Sequence, residues 1–185
     1  MNKKVKVKGI VAVIGGGNTA IDAARSALRL GAKEVHILDR RTMEEMPADR
    51  REIEDAIEEG VILHELVAPV RFVGDGKVTG IECVKMIPGK FGKDGRRIPV
   101  EVINSTFMMD IDMAIPAVSQ YSDLPFIPKG EVGVTDWGTF IVDSETQMTT
   151  QPGIFAGGDI ARGSDVVITA IADGKKEWPP VLEEF

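Results

Sequence analysis

Between Ile10 and Arg41 the chain reads IVAVIGGGNTAIDAARSALRLGAKEVHILDRR, and few folds accommodate that order of residues. A short apolar run, Ile10 to Ile14, ends in Gly15, Gly16 and Gly17. A segment with a helical apolar rhythm follows, then a second apolar run that ends in Asp39, Arg40 and Arg41. The order is strand, glycine turn, helix, strand, charged tip. It predicts a βαβ unit that binds a dinucleotide, with Ala20 in place of the last glycine of G-x-G-x-x-G.

Each small residue has a separate task in such a turn. Gly15 lets the chain leave the strand sharply, Gly17 lets the backbone approach a pyrophosphate, and Ala20 lets the helix pack close to the strand. The helix start offers N–H groups and the positive end of its dipole to phosphate. Asn18 and Thr19 add side-chain donors beside it.

Bulk properties exclude several classes. A net charge of −7 over 185 residues argues against a nucleic-acid surface. No apolar run is long enough to span a bilayer. The N-terminus, MNKKVKVKG, is basic but lacks the apolar core of a secretory signal, so cytoplasmic residence is expected. The single cysteine, Cys83, excludes an internal disulfide and any cluster ligated by cysteines of this chain alone. It reads as a small core residue rather than a nucleophile. His36 and His64 read as strand residues rather than metal ligands. No catalytic side chain and no metal ligand is expected.

Along the chain, Thr19 to Leu30 should be the first helix, with Ala20, Ile21, Ala24, Ala27 and Leu28 on its apolar face and Gly31 as its stop. Val35 to Leu38 is the second strand. Asp49 to Glu59 reads as a helix capped by Asp49 and stopped by Gly60. Val61 to Val67 is expected as a third strand. The rhythm then changes to strands alone: Val70 to Val73 and Lys77 to Met86 flank the turn Gly74-Asp75-Gly76, and Ile98 to Met108 returns after a loop. This predicts an antiparallel meander of about three strands. Met113 to Val118 is expected as a strand near the centre of the parallel sheet. Tyr121 to Gly133 reads as a linker. Trp137 to Asp143 looks strand-like, Gly153 to Asp159 is an apolar run with a glycine turn, and Val166 to Lys176 looks like a closing helix that Glu177-Trp178-Pro179-Pro180 breaks.

Two segments carry a family resemblance. They are VAVIGGGNTAIDAARSALRLGA, with the RRTMEEMPA and EEGV that follow it, and IFAGGDIARGSDVVITAIADGKK. Together they resemble the small (beta) subunit of glutamate synthase and its relatives, including the flavin half of dihydropyrimidine dehydrogenase. That group has the glutathione-reductase-like fold with two dinucleotide-binding domains. The resemblance implies a Rossmann-like NAD(P)H-binding domain over residues 9–122, a parallel sheet plus the antiparallel meander. It also implies the C-terminal portion of an FAD-binding domain over residues 135–185. Gly157, Gly158 and Asp159 would then meet FAD, with the Asp159 carboxylate accepting a hydrogen bond from the ribityl chain.

In that family the FAD-binding glycine motif and the iron–sulfur cysteine motifs precede the NAD(P)H domain. The resemblance therefore makes this chain a C-terminal piece of a longer flavoprotein that passes hydride from NADPH to FAD. Taken alone, the chain would be inactive: a nucleotide-binding fragment, or a subunit completed by a partner chain. A large synthase subunit is one candidate partner, and a homodimer through Trp137, Phe140, Phe155 and Trp178 is another.

The charged tip bears on the nucleotide. An acidic residue there would bond the ribose 2′-hydroxyl of NADH, and arginines would accept the 2′-phosphate of NADPH. Asp39 argues for NADH; Arg40 and Arg41 argue for NADPH, which the bidentate fit of guanidinium to phosphate favours. Asp39 must then turn away or pair with an arginine.

Overall fold

The computed structural model describes residues 6–92, 95–118, 123–125, 127–128 and 130–182, the side chains of 177–182 excepted. The chain divides into two compact units, residues 1–118 and 119–185.

In the first unit, β1 (Ile10–Ile14), β2 (Glu34–Leu38), β3 (Ile62–His64) and a later strand β8 (Met113–Pro116) form a parallel sheet in the order β3-β2-β1-β8. Strands covered on both faces read as continuous apolar runs, and β1 shows why. Val11 and Val13 point to one face, among Ala20, Ile21, Ala24, Val35 and Ile37. Ala12 and Ile14 point to the other, among Leu38, Val67, Ile81, Cys83 and Ile111.

The first face is covered by α1 (Asn18–Arg29) and α2 (Arg50–Glu58). Ala20, Ile21, Ala24 and Ala27 are the buried residues of α1. On α2 they are Ile53 and Ala56. The Asp49 side chain caps α2 by accepting from the Arg51 N–H at 2.8 Å. Gly60, just past its end, sits at φ +103°, where glycine is unstrained.

The second face carries the antiparallel strands β4 (Val67–Val73), β5 (Gly80–Phe91), β6 (Arg97–Glu101) and β7 (Phe107–Asp110). β5 pairs with all three of the others. The meander is thus present with one strand more than expected. Ile98 to Met108 is two strands rather than one, because Asn104 at φ +59° turns the chain between β6 and β7. Val61 to Val67 is likewise divided: Leu66 at φ +55° ends one sheet's strand and starts the other's. Β8 lies at an edge of the described parallel sheet, paired with β1, rather than near its centre. Cys83 is fully buried, and burial pushes its thiol up to about 11, so it stays protonated at neutral pH.

Among the described residues, the second unit holds two helices, α3 (Asp159–Arg162) and α4 (Val167–Leu182). The expected strand over Trp137 to Asp143 is reduced to isolated bridges, Val134 with Phe140 and Val142 with Thr149. Gly138 at φ +78° closes a tight turn where the strand would run. Val132, Phe140 and Ala156 form a small core with Val142 and Ile160 against it. Phe140 is therefore a core residue, whereas Trp137 is 81% exposed. The expected stop at Glu177 to Pro180 is absent, and α4 continues to Leu182. Tyr121 and the side chain of Trp178 lie outside the described residues.

Candidate nucleotide-binding site

The three glycines that follow β1 differ in what holds them. Gly15 sits at φ +127°, and a Cβ there would stand 2.5 Å from the carbonyl oxygen of Ala117. Its N–H donates to Leu38 O at 3.0 Å, tying the turn to the end of β2. At Gly16 a Cβ would stand 2.3 Å from Asp39 Oδ2 and 3.0 Å from Met46 Cγ. Gly17 has ordinary φ −90° and caps α1, and a Cβ there would meet Pro47 Cγ at 3.9 Å, a comfortable distance. The fold therefore requires glycine at 15 and 16 but tolerates a methyl group at 17.

The helix start is open for an anion. The first amides of α1 with a partner in the turn are those of Ala20 and Ile21, both donating to Gly17 O. Those before them have no intrahelical partner by position. Asn18 and Thr19 are exposed, and no acidic side chain lies in the first turn. Ala20 is fully buried, as its small size requires.

Asn18 also has a task within the protein. Its Oδ1 accepts from the Asp49 N–H at 2.9 Å, while the Ala48 N–H donates to Gly16 O at 3.1 Å. The segment between β2 and α2 is thereby fastened to the glycine turn at two points. That segment includes a single 3₁₀ turn, Met43–Glu45.

Asp39 follows β2 directly and is buried, with 7% of its surface exposed. Its Oδ1 accepts from the Arg41 N–H at 2.8 Å, and Oδ2 lies in the space left by the missing side chain of Gly16. The carboxylate is turned inward, off the tip. Burial raises its pKa above the usual carboxylate value, and the Arg41 N–H and the nearby guanidinium groups of Arg41, Arg40 and Arg96 offset only part of the rise. Arg40 is exposed and Arg41 half-buried. The Nε of Arg41 is buried without a hydrogen-bond partner. A buried donor with no acceptor is costly, and an anion at the tip would satisfy it. The residues present thus fit a dinucleotide with an anionic group at the tip: an open helix start and an orphaned guanidinium N–H.

His36 and His64 meet across β2 and β3, with His36 Nδ1 and His64 Nε2 2.9 Å apart. Strand order alone could have suggested this, since both lie in consecutive apolar runs of one parallel sheet. Burial and the neighbouring imidazole lower the pKa of His64. A shallow groove of about 440 Å³ opens beside β8, lined by Phe72, Val73, Lys77, Val78, Ala114 and Pro116 among others. Neither the glycine turn nor the arginine tip lines it.

In the second unit, Gly158 sits at φ +66°, ψ −148°, a region essentially confined to glycine. Its N–H donates to Asp173 Oδ2 at 2.9 Å, and Arg162 donates to both carboxylate oxygens of Asp173 at 2.5 Å. Asp173 is fully buried on α4, and these donors hold its pKa at about 2. Sequence reading missed this residue: a lone aspartate in an apolar helix gives no sign of its partner. Asp159 is exposed at the start of α3, and one oxygen accepts weakly from the Asp165 N–H at 3.4 Å. Its carboxylate is sterically open to a polar ligand.

Known proteins share this architecture. Thioredoxin reductase from T. acidophilum superposes with a TM-score of 0.71 at 22% identity, covering 93% of this chain and 55% of that one. FprA from Mycobacterium tuberculosis, solved in complex with NADPH, gives 0.72 at 18% identity, covering 95% and 52%. These likenesses establish the fold as α/β, matching about half of each of these two-dinucleotide-binding-domain structures. In sequence, the chain is 47% identical over 168 residues to the NADP(+)-dependent formate dehydrogenase subunit beta of Moorella thermoacetica, covering 90% of this chain and 24% of that protein. It is 42% identical over 167 residues to the glutamate synthase [NADPH] small chain of Azospirillum brasilense, covering 89% and 35%. The chain thus spans about a quarter to a third of these two relatives, each named as a subunit or chain of an oxidoreductase. A model of the pyridine nucleotide-disulphide oxidoreductases matches residues 2–174, and the chain belongs to that family.

Proposed function

We propose that residues 9–122 bind NADPH as the nicotinamide-nucleotide part of a flavin-dependent oxidoreductase, and that residues 135–185 contribute the C-terminal portion of its FAD-binding domain. Gly17 carries the proposal: the protein has no internal need for glycine there, and a pyrophosphate approaching the start of α1 supplies one. In this role Gly15, Gly16 and Gly17 shape the turn, the amides before Ala20 face the pyrophosphate, and Thr19 adds a hydroxyl. Asn18 donates through Nδ2, its Oδ1 being engaged by Asp49.

At the tip, Arg40 and Arg41 take the 2′-phosphate. The inward turn of Asp39 supports NADPH over NADH, because a carboxylate held by the Arg41 N–H is poorly placed to bond a ribose 2′-hydroxyl. The names of the sequence relatives, which specify NADP(+) and NADPH, agree with this. Gly157, Gly158 and Asp159 are assigned to the flavin, with the Asp159 carboxylate on the ribityl chain. Bound FAD would supply the hydride acceptor for NADPH. That chemistry belongs to the cofactors, and this chain's residues bind and orient them. Completion by a partner chain, a large synthase subunit among the candidates, is supported by the subunit names of the relatives.

Titration of the purified chain with NADPH and NADH, at low and at moderate salt, tests the nucleotide assignment. NADPH is expected to bind more tightly, with a preference that shrinks as salt rises. Equal or tighter binding of NADH would overturn it. A flavin absorbance spectrum after incubation with FAD tests the second assignment separately.

A further inference from the structure

α3 is a single turn, Asp159–Arg162, and an isolated turn of helix does not hold itself in water. Its direction is imposed from outside, and one carboxylate on α4 grips both of its ends. Asp173 Oδ2 accepts from the Gly158 N–H, just before the turn, at 2.9 Å. The fork of Arg162, the last residue of the turn, donates to both oxygens of the same carboxylate. α4 also lies tight against Gly158, where a Cβ would stand 3.0 Å from Ala170 Cβ.

The turn carries a carboxylate of its own. Asp159 stands three residues before Arg162, and side chains at that spacing on a helix are neighbours that pair when their charges are opposite. Arg162 reaches across to α4 instead. Asp159 stays exposed, with the weak bond from the Asp165 N–H as its one hydrogen bond among the described residues. Burial explains the choice. Asp173 is fully buried, and a carboxylate removed from water holds a cation more tightly than one that solvent screens. Released from Asp173, the guanidinium would be one turn from the Asp159 carboxylate and free to cover it.

We propose that Asp173 is a positioning residue for the flavin site: by engaging Arg162 it keeps the Asp159 carboxylate free to accept from a ribityl hydroxyl. The proposal rests on the assignment of Asp159 to the ribityl chain. It separates Asp173 from an aspartate that only holds the fold. Such a residue is missed whatever stands at 162, whereas flavin binding should do without Asp173 once position 162 carries no cation.

The test titrates the full chain with riboflavin and with lumiflavin, which has the ring system without the ribityl chain, and follows flavin fluorescence. Wild type is compared with Asp173→Asn and with the double variant Asp173→Asn/Arg162→Gln. Asparagine keeps an acceptor for the Gly158 N–H but loses its charge-assisted hold on the guanidinium. Asp173→Asn is expected to weaken riboflavin about three- to fivefold, the upper range for an ion pair open to solvent. Lumiflavin affinity should not change. The double variant should bind riboflavin as wild type does, because no cation is left to cover Asp159. A second readout needs no flavin. The Arg162 Nε–H resonance should show contacts to α4 in wild type and to Asp159 in Asp173→Asn, and should lose the latter in Asp173→Asn/Asp159→Asn. A double variant with weakened riboflavin binding would overturn the proposal, and so would an Asp173→Asn variant that binds riboflavin normally. An Arg162 signal in Asp173→Asn that Asp159→Asn leaves unchanged would also overturn it, placing the freed arginine on Asp165. A wild type that does not prefer riboflavin to lumiflavin removes the ribityl assignment itself, and the proposal with it.

Discussion

Gly16 and Gly17 are neighbours with opposite demands, and substitution separates them. Gly17→Ala adds a methyl group that meets only Pro47 Cγ at 3.9 Å, so the unfolding midpoint should hold within about 1 °C. Its NADPH affinity should nonetheless fall tenfold or more, because the pyrophosphate loses its approach to the backbone. Gly16→Ala would place a methyl group 2.3 Å from Asp39 Oδ2 and should destabilise the fold by about 1–3 kcal/mol. Thermal unfolding beside nucleotide titration checks both; a Gly17→Ala variant that binds normally would contradict the pyrophosphate assignment. At this scale the motif was legible, since glycine spacing after a strand is a local signal. The orientation of Asp39 was not. It depends on a space that Gly16 leaves empty and on the Arg41 N–H, and neither is apparent from residue type.

Elements were legible where period and cap agreed. α1 and α2 fall within a residue or so of expectation, with Asp49 at the cap and Gly60 at the stop. Strand ends were less so, because Leu66 and Asn104 adopt positive φ without being glycine. The division of Val61 to Val67 has a chemical result: β3 ends at His64, which then faces His36 on β2. With both imidazoles neutral, one nitrogen donates and the other accepts. With both protonated, two donors oppose each other. Glu34 Oε2 stands 3.5 Å from His36 Nε2 on the other side of the pair. His64 has its folded pKa below the ordinary 6.5, so the unfolded chain binds the proton more readily. Its contribution is therefore complete above about pH 6.5 and is lost as pH falls through that value toward the lowered folded pKa. The unfolding midpoint should drop by about 1–2 °C more between pH 7.5 and 5.5 in wild type than in His64→Gln. Parallel slopes would contradict a role for the pair.

Over the whole chain, the two units hold themselves together differently. The first has an apolar core on both faces of a sheet. The second has a small core and an ionic knot around a buried carboxylate, in which Asp173 gathers Gly158 N–H and the fork of the exposed Arg162. With a folded pKa near 2, Asp173 contributes stability that is complete above the ordinary carboxylate value near 4 and fades as pH falls toward 2. Arg162→Ala strands a fully buried carboxylate at neutral pH and should lower the unfolding midpoint of residues 119–185. At pH 3 the loss should be smaller, because a protonated Asp173 asks less of a cation. NADPH affinity should not change. Calorimetry at both pH values, paired with nucleotide titration, checks this. An effect that persists undiminished in acid would count against the knot.

The two ties between the glycine turn and the segment after β2, Ala48 N–H to Gly16 O and Asp49 N–H to Asn18 Oδ1, bear on how such a protein could be re-engineered. The glycine turn and the arginine tip, to which we assign the pyrophosphate and the 2′-phosphate, are joined as one piece. Retargeting the chain to NADH by replacing Arg40 and Arg41 alone would leave Asp39 locked inward under Gly16. The exchangeable unit is the whole stretch from Asp39 to Asp49, transplanted as a cassette with its own anchor points to the glycine turn.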